Sequence, residues 1–436
     1  MAILAADCHE QAQGESATAG ATSEATSGED ERCERRELGA TSTEGFRWSL
    51  GCAGSSLYPG LAVTPDGSAV LQVESYSPTL LSLGGDEIVV GGGSVVLTRV
   101  DGSGHHVWSQ AIQTHQAEDH GLMASLPDGG VVLALPVRGP IEVGGVTVEV
   151  DSTRLSLALI ALDPGGHPQW HAVLSGASSG SVVHPESVRT ARSGLVYLGL
   201  SASDEVSIDD EGPFEAGYLG VLAKPLEPGV GVWRVGAPPE GVPLDVGDDG
   251  SLLLATGDAL VRTDASWETS WERVLDGTPL GFDGAISPKG DVVVVGLFGD
   301  RINLGGDDIL SDTPYVPDLP TQNVFLGRFT PDGEHRWSAS RSEALLYVGV
   351  DVDAGEELDV VLITNEGRPW IERISETGET LGVVSPPVYP SVLWSAGTLP
   401  GGGAVLMGIT ESPIDLGGGA VPLRGEQQLW LARYGP

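Results

Sequence analysis

The chain has 436 residues, with 61 acidic side chains against 22 basic ones and a formal net charge of −39. Such a charge repels phosphate backbones, which excludes nucleic acid and anionic membrane surfaces as partners. The longest apolar runs, LSLALIAL (155–162) and VVVVGLF (292–298), are too short to span a bilayer, while 63 glycines, 29 prolines and 40% apolar residues indicate a turn-rich globular protein.

MAILAADC (1–8) closes a short apolar run on Cys8, as the export signals of bacterial lipoproteins do, which makes Cys8 a lipidation candidate. Asp7 stands where such signals carry a small residue, and no basic segment or long apolar core precedes it. A start codon set too far downstream would account for the missing part. From Gln11 to about Gly45 the composition turns to Ser, Thr, Ala, Gly and Glu without apolar periodicity. Such a segment buries too little surface to offset its ordering entropy, so residues 1–45 are read as an export remnant and a disordered acidic tether. Residues 46–436 form the folded body and carry most of the negative charge. The three cysteines, Cys8, Cys33 and Cys52, contain no CxxC pair. In an oxidising compartment Cys33 and Cys52 can form a disulfide; three free thiols are the alternative.

Three units then recur along the body. A Pro/Asp/Gly turn leading into a β-branched run appears at 64–73, 126–135, 191–200, 246–255, 287–296, 351–362 and 399–408. An apolar-x-apolar-Gly-Gly segment appears at LSLGG (81–85), IEVGG (141–145), INLGG (302–306) and IDLGG (414–418). A turn followed by tryptophan appears at DGSGHHVW (101–108), DPGGHPQW (163–170), LEPGVGVW (226–233), DASWETSW (264–271) and TPDGEHRW (330–337). In four of these five a glycine stands four residues before the tryptophan. Strand-length apolar runs lie between the turn residues throughout, and no stretch has the 3.6-residue period of a helix. Each period therefore reads as strand, turn, strand, excursion, strand, tight turn, strand.

Seven such units predict an all-β fold, a seven-bladed β-propeller of four-stranded antiparallel blades. The last unit stops one strand short, after QLWLARY (428–434), whereas FRWSL (46–50) is a strand without a unit of its own. Pairing the N-terminal strand with the last blade closes the ring and leaves no edge at the seam. A large aromatic at one place in each repeat suits the wedge between neighbouring blades, so Trp48, Trp108, Trp170, Trp233, Trp271 and Trp337 are assigned to packing between blades.

The order of these Pro-Asp-Gly turns, apolar-x-apolar-Gly-Gly excursions and Asp-Gly…Trp endings over residues 46–436 resembles the SBBP-type β-propeller repeats of bacterial secreted and cell-surface proteins. That resemblance implies a secreted or outer-surface protein, sometimes lipid-anchored, and for most of its members no activity is assigned. ALDPGGHPQW (161–170) is also similar to the repeats of quinoprotein-like propellers, although its Asp-to-Trp spacing is one residue shorter.

Chemistry-bearing patterns are few. Asp351, Asp353 and Asp359 approximate a calcium loop, but Gly355 falls one position early and Leu362 replaces the bidentate glutamate. His115 and His120 beside Glu118 and Asp119, or His167 with His171, supply two metal ligands without a third and read as solvated histidines. No GxSxG elbow and no paired-carboxylate motif occurs. No cofactor or metal is expected. The expected function is that of a non-catalytic binding or scaffold module at the bacterial cell surface, a monomer that docks a protein or glycan. A glycan-active hydrolase or lyase with its site in the central channel, or a quinoprotein-like propeller, is the alternative. The longest excursion, 299–323, is acidic and semi-rigid and supplies the partner-face residues Asp307, Asp308, Asp312 and Tyr315.

Overall fold

The computed structural model describes residues 34–37, 46–53, 59–75, 79–81, 85, 88–114, 121–209, 211–223, 234–311, 322–345, 348–354, 358–365, 370–385, 392–399, 402–423 and 428–435. No helix occurs among them, and none is therefore long and apolar enough to cross a membrane. The chain is an all-β propeller of antiparallel sheets, most of their strands consecutive and in up-and-down order.

The first sheet runs Pro59–Val63, Ala69–Ser75, Ser94–Val100, His106–Gln113, and the second Leu122–Ser125, Val131–Val137, Ser156–Leu162, Pro168–Gly176. The third is Val183–Thr190, Val196–Ala202, Gly217–Ala223, Arg234–Gly236, and the fourth Val242–Val246, Leu252–Thr256, Ala259–Thr263, Thr269–Val274. The fifth comprises Asp276–Ile286, Val292–Asn303, Gln322–Phe329, His335–Leu345, and the sixth Val348–Ala354, Leu358–Asn365, Trp370–Ser375, Thr380–Val384. The seventh takes Val392–Leu399, Gly403–Thr410 and Gln428–Tyr434 from the C-terminal part and Phe46–Ala53 from the N-terminal part. The seam runs Trp48↔Arg433 through Ala53↔Gln428. Glu34–Glu37 adds a fifth strand outside Phe46–Ala53. ERRE has no apolar alternation, and the sequence pattern predicts no strand within this part of the tether.

The turn motifs follow from backbone geometry. Between first and second strands the glycine of the Pro-Asp-Gly type sits at positive φ, as at Gly67 (80°) and Gly129 (86°), and its N–H bonds back three residues. Only glycine adopts this conformation without strain, and it matches the strand twist of a tight hairpin. The third-to-fourth-strand turns use the same device, with Gly166 at 84° and Gly333 at 77°.

These glycines also explain the tryptophan repeat. Trp108 donates from Nε1 to Pro164 O (2.9 Å), Trp271 to Pro331 O (2.8 Å) and Trp337 to Glu376 O (2.9 Å), each time onto the turn of the next sheet. A Cβ on Gly166, Gly333 or Gly378 would lie 2.7–3.0 Å from the indole above it. Replacing Gly333 with alanine is expected to cost at least about 2 kcal/mol, from positive φ and from contact with Trp271. Trp271→Phe, which loses only the hydrogen bond, should cost about 1 kcal/mol, and urea unfolding midpoints would show the ordering. Trp170 is half-buried against the core shared by the second and third sheets. Trp48 lies in the seam strand, its side chain outside the described residues, as is Trp233.

The apolar-x-apolar-Gly-Gly segments require a correction. The sequence pattern predicts surface excursions, but their apolar residues are core: Ile141 and Val143, Ile302 and Leu304, and Ile414 and Leu416 are each 0–4% exposed. Each hairpin folds into the groove between its own sheet and the preceding one. Ile141, Val143 and Val148 join Ile112 of the first sheet, and Ile302 and Leu304 join Leu244 and Leu260 of the fourth. Gly85, Gly144 and Gly306 then lie against the residues that open the fourth strands, His106, Pro168 and His335, too closely for a side chain. The fourth sheet has no such hairpin, because its second and third strands are joined by Gly257 and Asp258 alone. Its groove towards the third sheet is filled by Trp267, which packs edge-on to Tyr197 (6.1 Å between ring centroids) and beneath the Arg234 guanidinium (5.0 Å). Trp267 occupies the position of the turn glycine, at φ 61°.

Candidate functional site

Of the partner-face residues, Asp307 and Asp308 fall on the hairpin of the fifth sheet. Burial of Ile302 and Leu304 anchors its root, and the chain then turns out through Gly305 (φ 105°) to present Asp307 and Asp308 to solvent. Arg301 Nη1 grips both Asp308 oxygens (3.0 and 3.1 Å), and its Nη2 reaches Asp276 (3.0 Å). Asn303 donates to Asp308 Oδ1 (2.8 Å) and to Gly306 O (3.0 Å), while its own carbonyl accepts from the Gly305 N–H (2.7 Å). Hydrogen bonds from Asn303 and Arg301 hold the Asp308 carboxyl below the usual carboxylate range.

Behind this turn lies an open cleft of about 590 Å³, lined by Gly306–Leu310, His335 and Trp337–Ser340. Burial pushes the His335 ring below its ordinary pKa, and the nearby Asp307 acts in the opposite direction. Leu310 stands 64% exposed at the rim. The site thus combines a fixed carboxylate at Asp308, a second acid at Asp307, an imidazole, an indole edge and an exposed leucine, the mixed polar and apolar surface that macromolecular partners use. Asp312 and Tyr315 lie outside the described residues, so the structure brings together two of the four residues named from sequence.

A second cleft, of about 390 Å³, lies along the outer strand of the second sheet between Thr147–Asp151 and Ser207–Asp209. His171 lines it, whereas His167 sits in the preceding turn 3.3 Å from Asp163, so the two histidines are not brought to one ion. No group of three His, Cys, Asp or Glu residues arranged for a metal occurs among the described residues. Cys8, Cys33, His115 and His120 lie outside them, and of Cys52 only the backbone is described.

The inner strands hold charged residues that sequence reasoning misses. The third and fourth sheets place Arg189 and Asp245 on their first strands, with Arg192 in the adjoining turn. The signal is legible as the charges interrupting HPESVRT (184–190) and PLDV (243–246). Arg189 Nε donates to Leu244 O of the fourth sheet (2.9 Å) and Arg192 Nη1 to Ile286 O of the fifth (2.7 Å), so both guanidinium groups are engaged by the backbone of other sheets.

Strand order and closed grooves define a β-propeller with an open cleft at the rim of the fifth sheet. No protein-family model and no curated protein matches the chain. Among solved structures, a Bacteroides caccae protein of unknown function is 14% identical over 64% of this chain and 80% of its own length, with a TM-score of 0.32. The quinohemoprotein alcohol dehydrogenase of Comamonas testosteroni is 11% identical over 86% of this chain and 74% of its own, with a TM-score of 0.33. The β-propeller domain of Nup133 from Vanderwaltozyma polyspora is 8% identical over 86% of this chain and all of its own, with a TM-score of 0.32.

Proposed function

We propose that the protein is a non-catalytic binding scaffold: a ring of seven blades of the SBBP type, displayed at the bacterial cell surface, which docks a protein or glycan on the excursion face of its fifth blade. The observation that carries this reading is the construction of the Asp307–Asp308 turn. Its root is locked into the core and Asp308 is fixed by Arg301 and Asn303, with Asp307 carried on the same turn, so a partner meets a preorganised surface and little ordering entropy opposes docking. The seven units of the sequence repeat support the blade count, and the tether with Cys8 supports surface display. A catalytic reading has one observation in its favour, the Arg189–Arg192–Asp245 group on the inner strands, but each of these side chains is bound to a neighbouring strand.

The test is cross-linking of the tagged protein on intact cells, followed by binding of the recovered partner to purified variants. Asp307→Lys combined with Tyr315→Ala is expected to lower affinity at least tenfold with an unchanged melting temperature. Equal binding by this variant at unchanged stability would remove the fifth-blade face from consideration.

A further inference from the structure

The inner strands of the third, fourth and fifth sheets are joined by three side chains as well as by packing. A register shift between Pro243 and Asp245 marks a bulge, which re-aims the side chain beyond it. Asp245 Oδ1 accepts the N–H of Val246 (2.8 Å) and Oδ2 accepts the N–H of Ile286 on the fifth sheet (2.7 Å). The carbonyl of that same Ile286 accepts Arg192 Nη1 from the third sheet, and the carbonyl of Leu244, next to Asp245, accepts Arg189 Nε. The charged groups acting on the carboxyl are thus Arg189 and Arg192 from the third sheet and Arg262 from the third strand of its own sheet, while the fifth sheet offers it a backbone N–H.

We propose that Asp245 is a proton-operated latch between the inner strands of the fourth and fifth sheets, which switches the charge at this end of the propeller under mildly acidic conditions. Burial raises its carboxyl to about 6, against the opposing pull of the two N–H bonds and of Arg192 and Arg189. Above that pH the carboxylate makes charge-assisted bonds to Val246 and Ile286 and balances one of the flanking guanidinium groups. Below it the carboxyl is neutral: the two bonds lose their charge assistance and Arg189 and Arg192 lose their counter-charge, but the larger cost of burying a carboxylate is relieved.

The sign of the linked stability follows. An unfolded Asp245 releases its proton near pH 4, so between about pH 4 and 6 the folded chain binds the proton more tightly than the unfolded chain does. The contribution of this group to stability is present in acid and is lost as pH rises through that window. It amounts to at most about 100-fold in the folding equilibrium constant, because one proton changes that constant at most tenfold for each pH step of one across the window.

The experiment is a pH titration of the Val246 and Ile286 amide resonances in the intact protein, with thermal unfolding measured over the same range. The wild-type amides are expected to shift with a midpoint near 6. Arg192→Gln and Arg189→Gln should each move the midpoint upward, because each removes a charge that favours the ionised form, whereas a purely structural arginine would leave it in place. Asp245→Asn should abolish the shift and flatten the stability profile; where that variant folds poorly, the two arginine variants decide. Flat amide resonances between pH 5 and 7, or a midpoint indifferent to both arginine substitutions, would overturn the proposal.

Discussion

Replacing Arg328 with methionine is expected to lower the free energy of unfolding by about 3–5 kcal/mol. Arg328 closes the third strand of the fifth sheet and is fully buried, as is its partner Asp291 at the first-to-second-strand turn; Nε and Oδ2 are 3.1 Å apart. Arg336, 41% exposed, also reaches Asp291 (3.1 Å). Methionine fills much of the arginine volume, so the loss is chiefly that of a buried carboxylate deprived of its main counter-charge. Adding Asp291→Ala to Arg328→Met should therefore recover part of the loss, because the orphaned charge disappears. Guanidinium chloride unfolding of both single variants and the double variant closes the cycle. A double variant less stable than either single would show that the pair contributes through packing instead of charge.

Truncation at the seam should have a still larger effect. Removing residues 1–45 leaves Phe46–Ala53 in place and is expected to shift the melting temperature by no more than a few degrees. Removing 1–53 leaves Gln428–Tyr434 without its outer neighbour, although Leu429, Trp430, Leu431 and Ala432 are 0–2% exposed in the intact sheet. Unpaired backbone groups and newly wetted apolar surface together should cost at least about 5 kcal/mol. Scanning calorimetry of the two truncations separates the cases. Equal melting temperatures would mean that the N-terminal strand does not hold the seam.

Much of the architecture is legible in the sequence because turns constrain sequence more tightly than strands do. A positive φ favours glycine, so Gly67, Gly129, Gly166 and Gly333 mark recurring hairpins, and Gly166 and Gly333 each stand four residues before a tryptophan. The short spacing of 38 residues between Trp233 and Trp271 is explained by the fourth sheet, where Gly257 and Asp258 replace an entire hairpin. What escapes is tertiary. Nothing in IEVGG or INLGG distinguishes a hairpin that stands in solvent from one that folds back into a groove; the decision rests on the open wedge between sheets, which exists only once both are formed. Arg99, Arg262, Arg328, Arg373 and Arg433 recur near the end of third strands, yet their value depends on what stands opposite: Asp66 for Arg99, Ser251 for Arg262, Asp291 for Arg328 and the carbonyls of Gly67 and Gly102 for Arg433. In the candidate site Asp307 and Asp308 are visible from sequence as exposed acids, but Arg301, Asn303 and His335 come from other points along the chain and are joined to them only by the fold.

The hairpins that fill the grooves have a consequence for how the molecule assembles. A sheet that carries such a hairpin can pack fully against its predecessor only after its own second and third strands exist, so completed interfaces accumulate in the direction of synthesis, one sheet behind the growing chain. Phe46–Ala53 is the exception. Made early, it has no sheet to join until Gln428–Tyr434 has been added, and its pairing spans nearly the whole chain. Contacts of such sequence separation are slow to form. Seam closure is therefore expected as the last and slowest event of folding, and until it occurs the strand bearing Trp48 and Cys52 remains available to the surrounding solution.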